Sequence, residues 1–180
     1  MKLSRRDLVL QGLGIAGCSG LGALEAIGCK LVEAKTMKER QTKTFFKLYP
    51  VGRVEKKRKQ TELRIFENYA DALKGLDGFS HVFVMYWFDK NDTPEKRSIL
   101  QVYPRGNRKN PLTGVFACRA PVRPNLIAVS LCKISSVKEH VVRIDKIDAF
   151  DGSPILDLKP YIPGIDSPAE GVRLPKWLKG

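Results

Sequence analysis

The run 80–88 (SHVFVMYWF) constrains the fold of this chain more than any other stretch. Its β-branched and aromatic side chains lose rotamer freedom in a helix and pack well on a pleated sheet. A short run of nearly unbroken apolar character predicts a central strand buried on both faces. Other strand-like runs surround it. Residues 49–55 (YPVGRVE) and 62–66 (ELRIF) are joined by the basic turn KKRKQT, and further runs cover 100–103, 114–119, 126–134, 141–147 and 155–158. Many short strands with Gly, Pro and Asn punctuation predict a mainly β, closed or nearly closed sheet. Two short helices interrupt it: one over 69–74, capped by Asn68 and ended by Gly75, and one turn at Thr93-Pro94-Glu95 with proline at its first position. After residue 159 the chain holds four prolines and three glycines and little periodicity, which predicts an irregular tail packed across the domain.

At 180 residues and 43% apolar, the chain suffices for one domain plus an extension. Lys and Arg number 32 against 19 Asp and Glu, a formal charge of +13. That excess favours a polyanionic partner, nucleic acid or an anionic membrane, although a merely soluble basic protein also fits. The four cysteines stand at 18, 29, 118 and 132, with no CxxC pair and only two histidines, so no metal site is expected. Cys118 and Cys132 lie in apolar runs, where free buried thiols are expected and a disulfide between them stays open.

Residues 1–36 differ from the rest. The basic opening and the Gly/Ala-rich apolar stretch have the design of an export signal. SRRDLVL, with Arg5 and Arg6, resembles a twin-arginine leader. Val32-Glu33-Ala34 offers a cleavage step, and Ile15-Ala16-Gly17-Cys18 resembles a lipoprotein processing box more weakly. The G-x-G-x-x-G match at Gly12, Gly14 and Gly17 is rejected, because no alternating β/α series follows it. Gln11, Glu25 and the glycines keep the apolar run below the ~20 residues a membrane span needs. Met37 offers a second start, and without the five basic and three acidic residues before it the chain is still +11. The protein is therefore expected in the cytoplasm if it starts at Met37 or leaves the leader unused. Otherwise it is exported, and it meets a membrane only if the leader is retained or lipidated.

Polar residues gather in four places: Phe79-Ser80-His81, Asp89-Lys90-Asn91, the stretch from Arg119 through Pro121, Arg123 and Pro124 to Asn125, and the stretch from Asp148 to Pro154 containing Asp151-Gly152-Ser153. The third is the most unusual. Two prolines stiffen a loop that carries two arginines and an asparagine, and such a loop can preset donors for a carboxylate, a phosphate or a base edge. A rigid turn whose arginines pair with Asp151 or Asp157 accounts for it equally well. Asp151-Gly152-Ser153-Pro154 alone reads as a tight turn whose aspartate accepts backbone N–H bonds. His81 reads as a hydrogen-bonded structural histidine.

Taken together, LKGLDGFSHVFVMYWF, GVFACRAPVRPNLIAVSL and IDAFDGSPILDLKPYIPG resemble the TrmO (TsaA-like) family in order and spacing, over residues 49–164. The resemblance implies a single small β-barrel over 45–164 with a tail at 165–180. It implies a homodimer with S-adenosylmethionine near the subunit interface, and N6-methylation of threonylcarbamoyladenosine beside the tRNA anticodon. Carried over by position, the cofactor contacts are Asp89, Lys90, Arg119, Val129, Asp151, Gly152, Ser153 and Pro154, with His81, Arg123 and Asn125 supporting the loop. In-line methyl transfer asks mainly for alignment and desolvation; no general base is assigned. Several positions depart from the family pattern. A Pro-Arg-Gln segment common after the first strand is replaced by the short KKRKQT, Asp89 stands where histidine is common, and RPNLIAV and FACR replace RPNPIG and FATR. Two competing functions are a methyltransferase for a small-molecule acceptor and a non-catalytic nucleotide- or nucleic-acid-binding barrel. The second lacks, along the sequence, an alternating aromatic and basic face.

Overall fold

A computed structural model describes residues 45–57, 60–168 and 170–178. The chain divides into two units between Lys47 and Leu48, and the second is described here. The leader, its processing motifs and the Met37 start lie outside the described residues.

Among the described residues the strands are β1 (Gly52–Lys57), β2 (Gln60–Ile65), β3 (His81–Trp87), β4 (Gln101–Val102), β5 (Thr113–Gly114), β6 (Ile127–Lys138), β7 (Val141–Ile144) and β8 (Pro154–Pro160). Six of them close an antiparallel barrel in the order β1-β2-β7-β6-β3-β8, and β4 and β5 form a separate two-stranded ladder. Closure leaves no strand edge in the barrel to be blunted. The interior is filled by Val54, Leu63, Val82, Val84, Val142 and Ile155, all fully buried, so this is a packed core.

β3 is central, with β6 and β8 on its two sides, but it is not buried on both faces. Val82, Val84 and Tyr86 point inward while His81, Phe83, Met85 and Trp87 are half-buried. A barrel wall has one interior, and the unbroken apolar run hides the alternation that a more polar outer face would have displayed. Other elements also shift. β1 starts three residues later than expected, and β1 and β2 extend into KKRKQT up to Lys57 and from Gln60. The helix after β2 is a 3-10 helix, Glu67–Leu73, whose cap is Phe66 rather than Asn68. Gly75 does stop it, at φ 83°. The helical turn Pro94–Arg97 forms as expected, with the Thr93 side chain accepting from the Lys96 N–H. The expected strand 114–119 is mostly a 3-10 turn, Val115–Ala117, after the two residues of β5. β6 runs on to Lys138 because the tight turn at Glu139 and His140 pairs its polar end with β7.

On the outer wall, Glu55 and Glu62 stand opposite each other on β1 and β2. Their repulsion is relieved by Arg64, 2.7 Å from Glu55, and by Arg143, 2.9 Å from Glu62. Among the described residues no helix is long and apolar enough to cross a membrane. Cys118 and Cys132 are both free thiols.

Antiparallel pairing decides where the polar stretches meet. β3 ends where β6 and β8 begin, with Trp87 opposite Ile127 and Tyr86 opposite Ile155. The chain leaves this end of the barrel at Phe88 and returns to it at Leu126, held by a 2.9 Å bond from the Phe88 N–H to the Leu126 carbonyl.

Candidate functional site

Two of the polar stretches meet at that barrel end. Residues 89–91 turn immediately after β3. The loop 145–153 docks onto β1: the Gly152 N–H donates to the Val54 carbonyl at 2.8 Å, and the Val54 N–H to the Ser153 carbonyl at 3.0 Å. Gly152, at φ 80°, lets the chain turn where a side chain would be strained. The Asp151 carboxylate accepts the Lys56 N–H at 2.8 Å, the Lys56 ammonium donates to the Ile147 carbonyl at 3.0 Å, and the Tyr86 hydroxyl donates to the Asp148 carbonyl. Burial pushes the Tyr86 phenol above its ordinary pKa. Buried Ser153 links the loop to the β3 turn, its Oγ 3.4 Å from Asp89 Oδ1, while Asp89 Oδ2 is 3.3 Å from Lys90 Nζ.

The arginine loop sits beside this cluster. Arg97 donates to Asp92 at 2.7 Å and to the Pro124 carbonyl at 2.8 Å, and its guanidinium lies 5.2 Å from the Trp87 ring centroid. The hydrogen bond from Arg97 holds the Asp92 carboxyl below its ordinary pKa. Leu126, fully buried at φ 53°, completes the turn into β6, a left-handed conformation that tertiary packing must enforce on a branched residue.

The two arginines have separate roles. Arg123 is consumed by its own loop, donating to the carbonyls of Ala120 (3.0 Å), Val115 (2.8 Å) and Cys118 (2.7 Å). Arg119 is exposed and makes no hydrogen bond or ion pair among the described residues. Neither pairs with Asp151 or Asp157, since Asp157 pairs with Lys159 at 2.9 Å. Arg119 instead borders a cavity of about 1070 Å³. Its walls come from the β4–β5 region, residues 116–122 and the C-terminal residues Trp177 and Leu178. Tyr103, Arg105, Arg108 and Trp177 on these walls stand out in no local motif, and Phe116, although inside the GVFACR block, carries no signal of exposure there.

Two residues of the expected set lie elsewhere. His81 is at the start of β3, one strand length from Asp89, bonded to Ser80 Oγ at 2.9 Å and packed edge-on against Tyr161. Val129 is on the outer wall of β6, opposite Met85. Asn125 is exposed on the turn before Leu126. Among the described residues no three His, Cys, Asp or Glu side chains converge to hold a metal.

Residues 44–167 match the family model described as the tRNA-methyltransferase O N-terminal domain. The chain belongs to this family. A probable S-adenosyl-L-methionine-binding protein of Methanocaldococcus jannaschii is 45% identical over 121 residues, 67% of this chain and 96% of the relative. The tRNA (adenine(37)-N6)-methyltransferase of Homo sapiens is 42% identical over 105 residues, 58% of this chain but only 23% of that protein. The crystal structure of TrmO from Pseudomonas aeruginosa matches with a TM-score of 0.55 at 25% identity, covering 72% of this chain and 62% of that one. The chain therefore spans nearly the whole archaeal relative, less than two thirds of the solved TrmO chain and about a quarter of the human protein.

Proposed function

We propose that this chain is an S-adenosylmethionine-dependent methyltransferase acting on N6 of a tRNA adenine base, with threonylcarbamoyladenosine beside the anticodon as the finer assignment. The observation that carries the reading is the meeting of residues 89–91 with the loop 145–153 at one barrel end, in a chain of this family. The residues suit the cofactor. A sulfonium and an ammonium group need carboxylate and carbonyl partners, and Asp89 and Asp151 stand there, beside buried Ser153 and the turn at Gly152 and Pro154. Lys90 and Arg119, which is exposed and without a partner among the described residues, suit the carboxylate of its amino-acid tail.

Bound at this barrel end, S-adenosylmethionine would supply an electrophilic methyl group for N6 of the adenine base. The chain's contribution is alignment. Asp151 is fixed by the Lys56 N–H and Asp89 by Ser153, so two negative charges are preset against the cofactor's positive ones.

The reading includes a homodimer. Ile127, Val129 and Leu131 form an exposed apolar row on the outer wall of β6, 38%, 41% and 46% exposed, beside Phe83 and Met85 of β3. Solvent gains nothing from such a row, and a second copy would cover it. Val129, on that wall, would reach a cofactor only at a subunit interface. Leu131→Glu is expected to give a monomer in sedimentation, and an unchanged dimer, or a monomeric parent, refutes this part. The reading also requires a cytoplasmic protein, which the mass of the native N-terminus checks: a chain cleaved after an export signal contradicts it.

Calorimetry with S-adenosylmethionine tests the cofactor. Binding is expected, with Asp89→Asn and Arg119→Ala each weakening it about tenfold, the loss of one charge-assisted contact. No heat with the intact protein removes the methyltransferase reading. Nucleosides of tRNA from a strain lacking this protein are expected to lose the N6-methyl mark.

A further inference from the structure

The 1070 Å³ cavity has a composition unlike that of the barrel end. Arg105, Arg108 and Arg119 stand on its walls and, among the described residues, no Asp or Glu does. Between them are three aromatic side chains, Tyr103, Phe116 and Trp177. Phe116 is 84% exposed, although Val115 beside it is buried. The 3-10 turn Val115–Ala117 thus turns the small apolar residue inward and leaves the large ring in solvent. Arg105 is held at φ 59° next to Gly106 at φ 67°. That left-handed conformation is unfavourable for a non-glycine residue, so the surrounding loop must hold this arginine on the cavity wall.

We infer that this cavity takes an unpaired nucleotide of RNA, its base stacked on the exposed aromatic rings and its flanking phosphates held by Arg105 and Arg108. Three facts select this occupant. Aromatic faces stack any base once it leaves a helix, and a base inside a duplex cannot reach them. Arginine without a neighbouring carboxylate is complementary to phosphate. A cationic cofactor is disfavoured in the body of the cavity for the same reason, which separates it from the carboxylate cluster of Asp89 and Asp151. The aromatic and basic face that the linear sequence lacks is assembled here from residues 103–108, 116–119 and 177. The inference rests on the proposed RNA methyltransferase reading and names the contact surface for the acceptor.

The test uses the full chain, an RNA stem–loop with an unpaired loop, and a blunt duplex made from the same stem. Tryptophan fluorescence and anisotropy should show the stem–loop binding about tenfold or more tightly than the duplex, one stacked base being worth that much. Phe116→Ala should abolish most of this preference and leave calorimetric binding of S-adenosylmethionine unchanged; the ring is solvent-exposed, so the fold should survive its removal. Arg108→Ala should weaken stem–loop binding and lower its salt dependence by about one ion. Equal binding of stem–loop and duplex overturns the inference, as does a Phe116→Ala protein that retains the preference. Loss of cofactor binding in Phe116→Ala also overturns it, by giving the cavity to the cofactor. Absence of cofactor binding in the parent protein with the stem–loop preference intact would instead remove the methyltransferase reading and leave the nucleotide pocket standing.

Discussion

Among the described glycines, Gly52 has the least room for a side chain. A Cβ built there would lie 2.3 Å from the Arg64 carbonyl oxygen and 2.9 Å from the Ile65 Cα, both backbone atoms of β2. Ordinary contact for such atoms is roughly 3.5 Å, so Gly52→Ala must push the strands apart by about 1 Å. The neighbouring ladder resists on both sides. The Phe66 N–H donates to the Val51 carbonyl at 2.9 Å, and the Val51 N–H donates to the Ile155 carbonyl at 2.8 Å. Relief by losing one such bond costs about 1 kcal/mol, and overpacking adds about 1–3 kcal/mol. The stiffer unfolded chain returns roughly 0.5–1 kcal/mol. The net loss is about 1–3.5 kcal/mol, or roughly 4–14 °C in Tm for a domain of this size. Urea unfolding followed by tryptophan fluorescence measures it, with an unchanged m-value showing that the transition is the same one. Gly78→Ala, which meets nothing within 4 Å at an ordinary φ, is the control and should stay within about 0.5 kcal/mol. Because β1 also carries the loop at Gly152 and Ser153, cofactor affinity should fall together with stability. A Gly52→Ala protein as stable as its parent would show that β1 and β2 separate freely and would refute this account of the barrel seam.

Tyr86→Phe removes the donor that ties β3 to the Asp148 carbonyl; about 1 kcal/mol of stability should be lost, and cofactor affinity, read by calorimetry, should fall by more than stability alone explains. Arg97→Lys cannot bridge Asp92 and the Pro124 carbonyl while also stacking on Trp87, so hydrogen exchange at residues 122–126 should accelerate while the barrel strands stay protected. Burial pushes the Cys132 thiol up to about 11 from 9.0. With the folded pKa raised, this thiol's stabilising contribution is whole below pH 9 and is lost as pH rises through about 11. Cys132→Ala should therefore lose less stability than its parent between pH 9 and 11, by roughly 2–3 kcal/mol. At neutral pH a thiol reagent should label half-buried Cys118 well before Cys132.

Much of the barrel was legible because strand-forming residues and turn residues report local physics. The Val/Phe/Tyr/Trp run is a strand in the structure, Pro94 begins a helical turn behind Thr93, and Gly75 stops a helix. The failures share a different cause. GVFACR resembles a strand, yet beyond Gly114 no strand among the described residues pairs with it: the Val115 N–H bonds to the Leu100 carbonyl and the chain then coils. The polar segment at the end of β6 resembles a loop, yet pairing with β7 makes it a strand. Pairing partners override propensity in both places.

The arginine loop divides most clearly between the two levels. Its composition alone determined that two guanidinium groups and two prolines would share one short turn near the barrel. Which of them remained available was decided by three carbonyl oxygens, those of Val115, Cys118 and Ala120, which capture Arg123 and leave Arg119 facing the cavity. Backbone acceptors carry no signature in side-chain spacing, so no reading of the chain could assign that difference. The cavity has the same origin: Tyr103, Phe116 and Trp177 are scattered along the sequence and become one wall only when the tail packs beside the β4–β5 ladder. Local chemistry was written residue by residue, and the proximity that turns it into a site came from long-range packing.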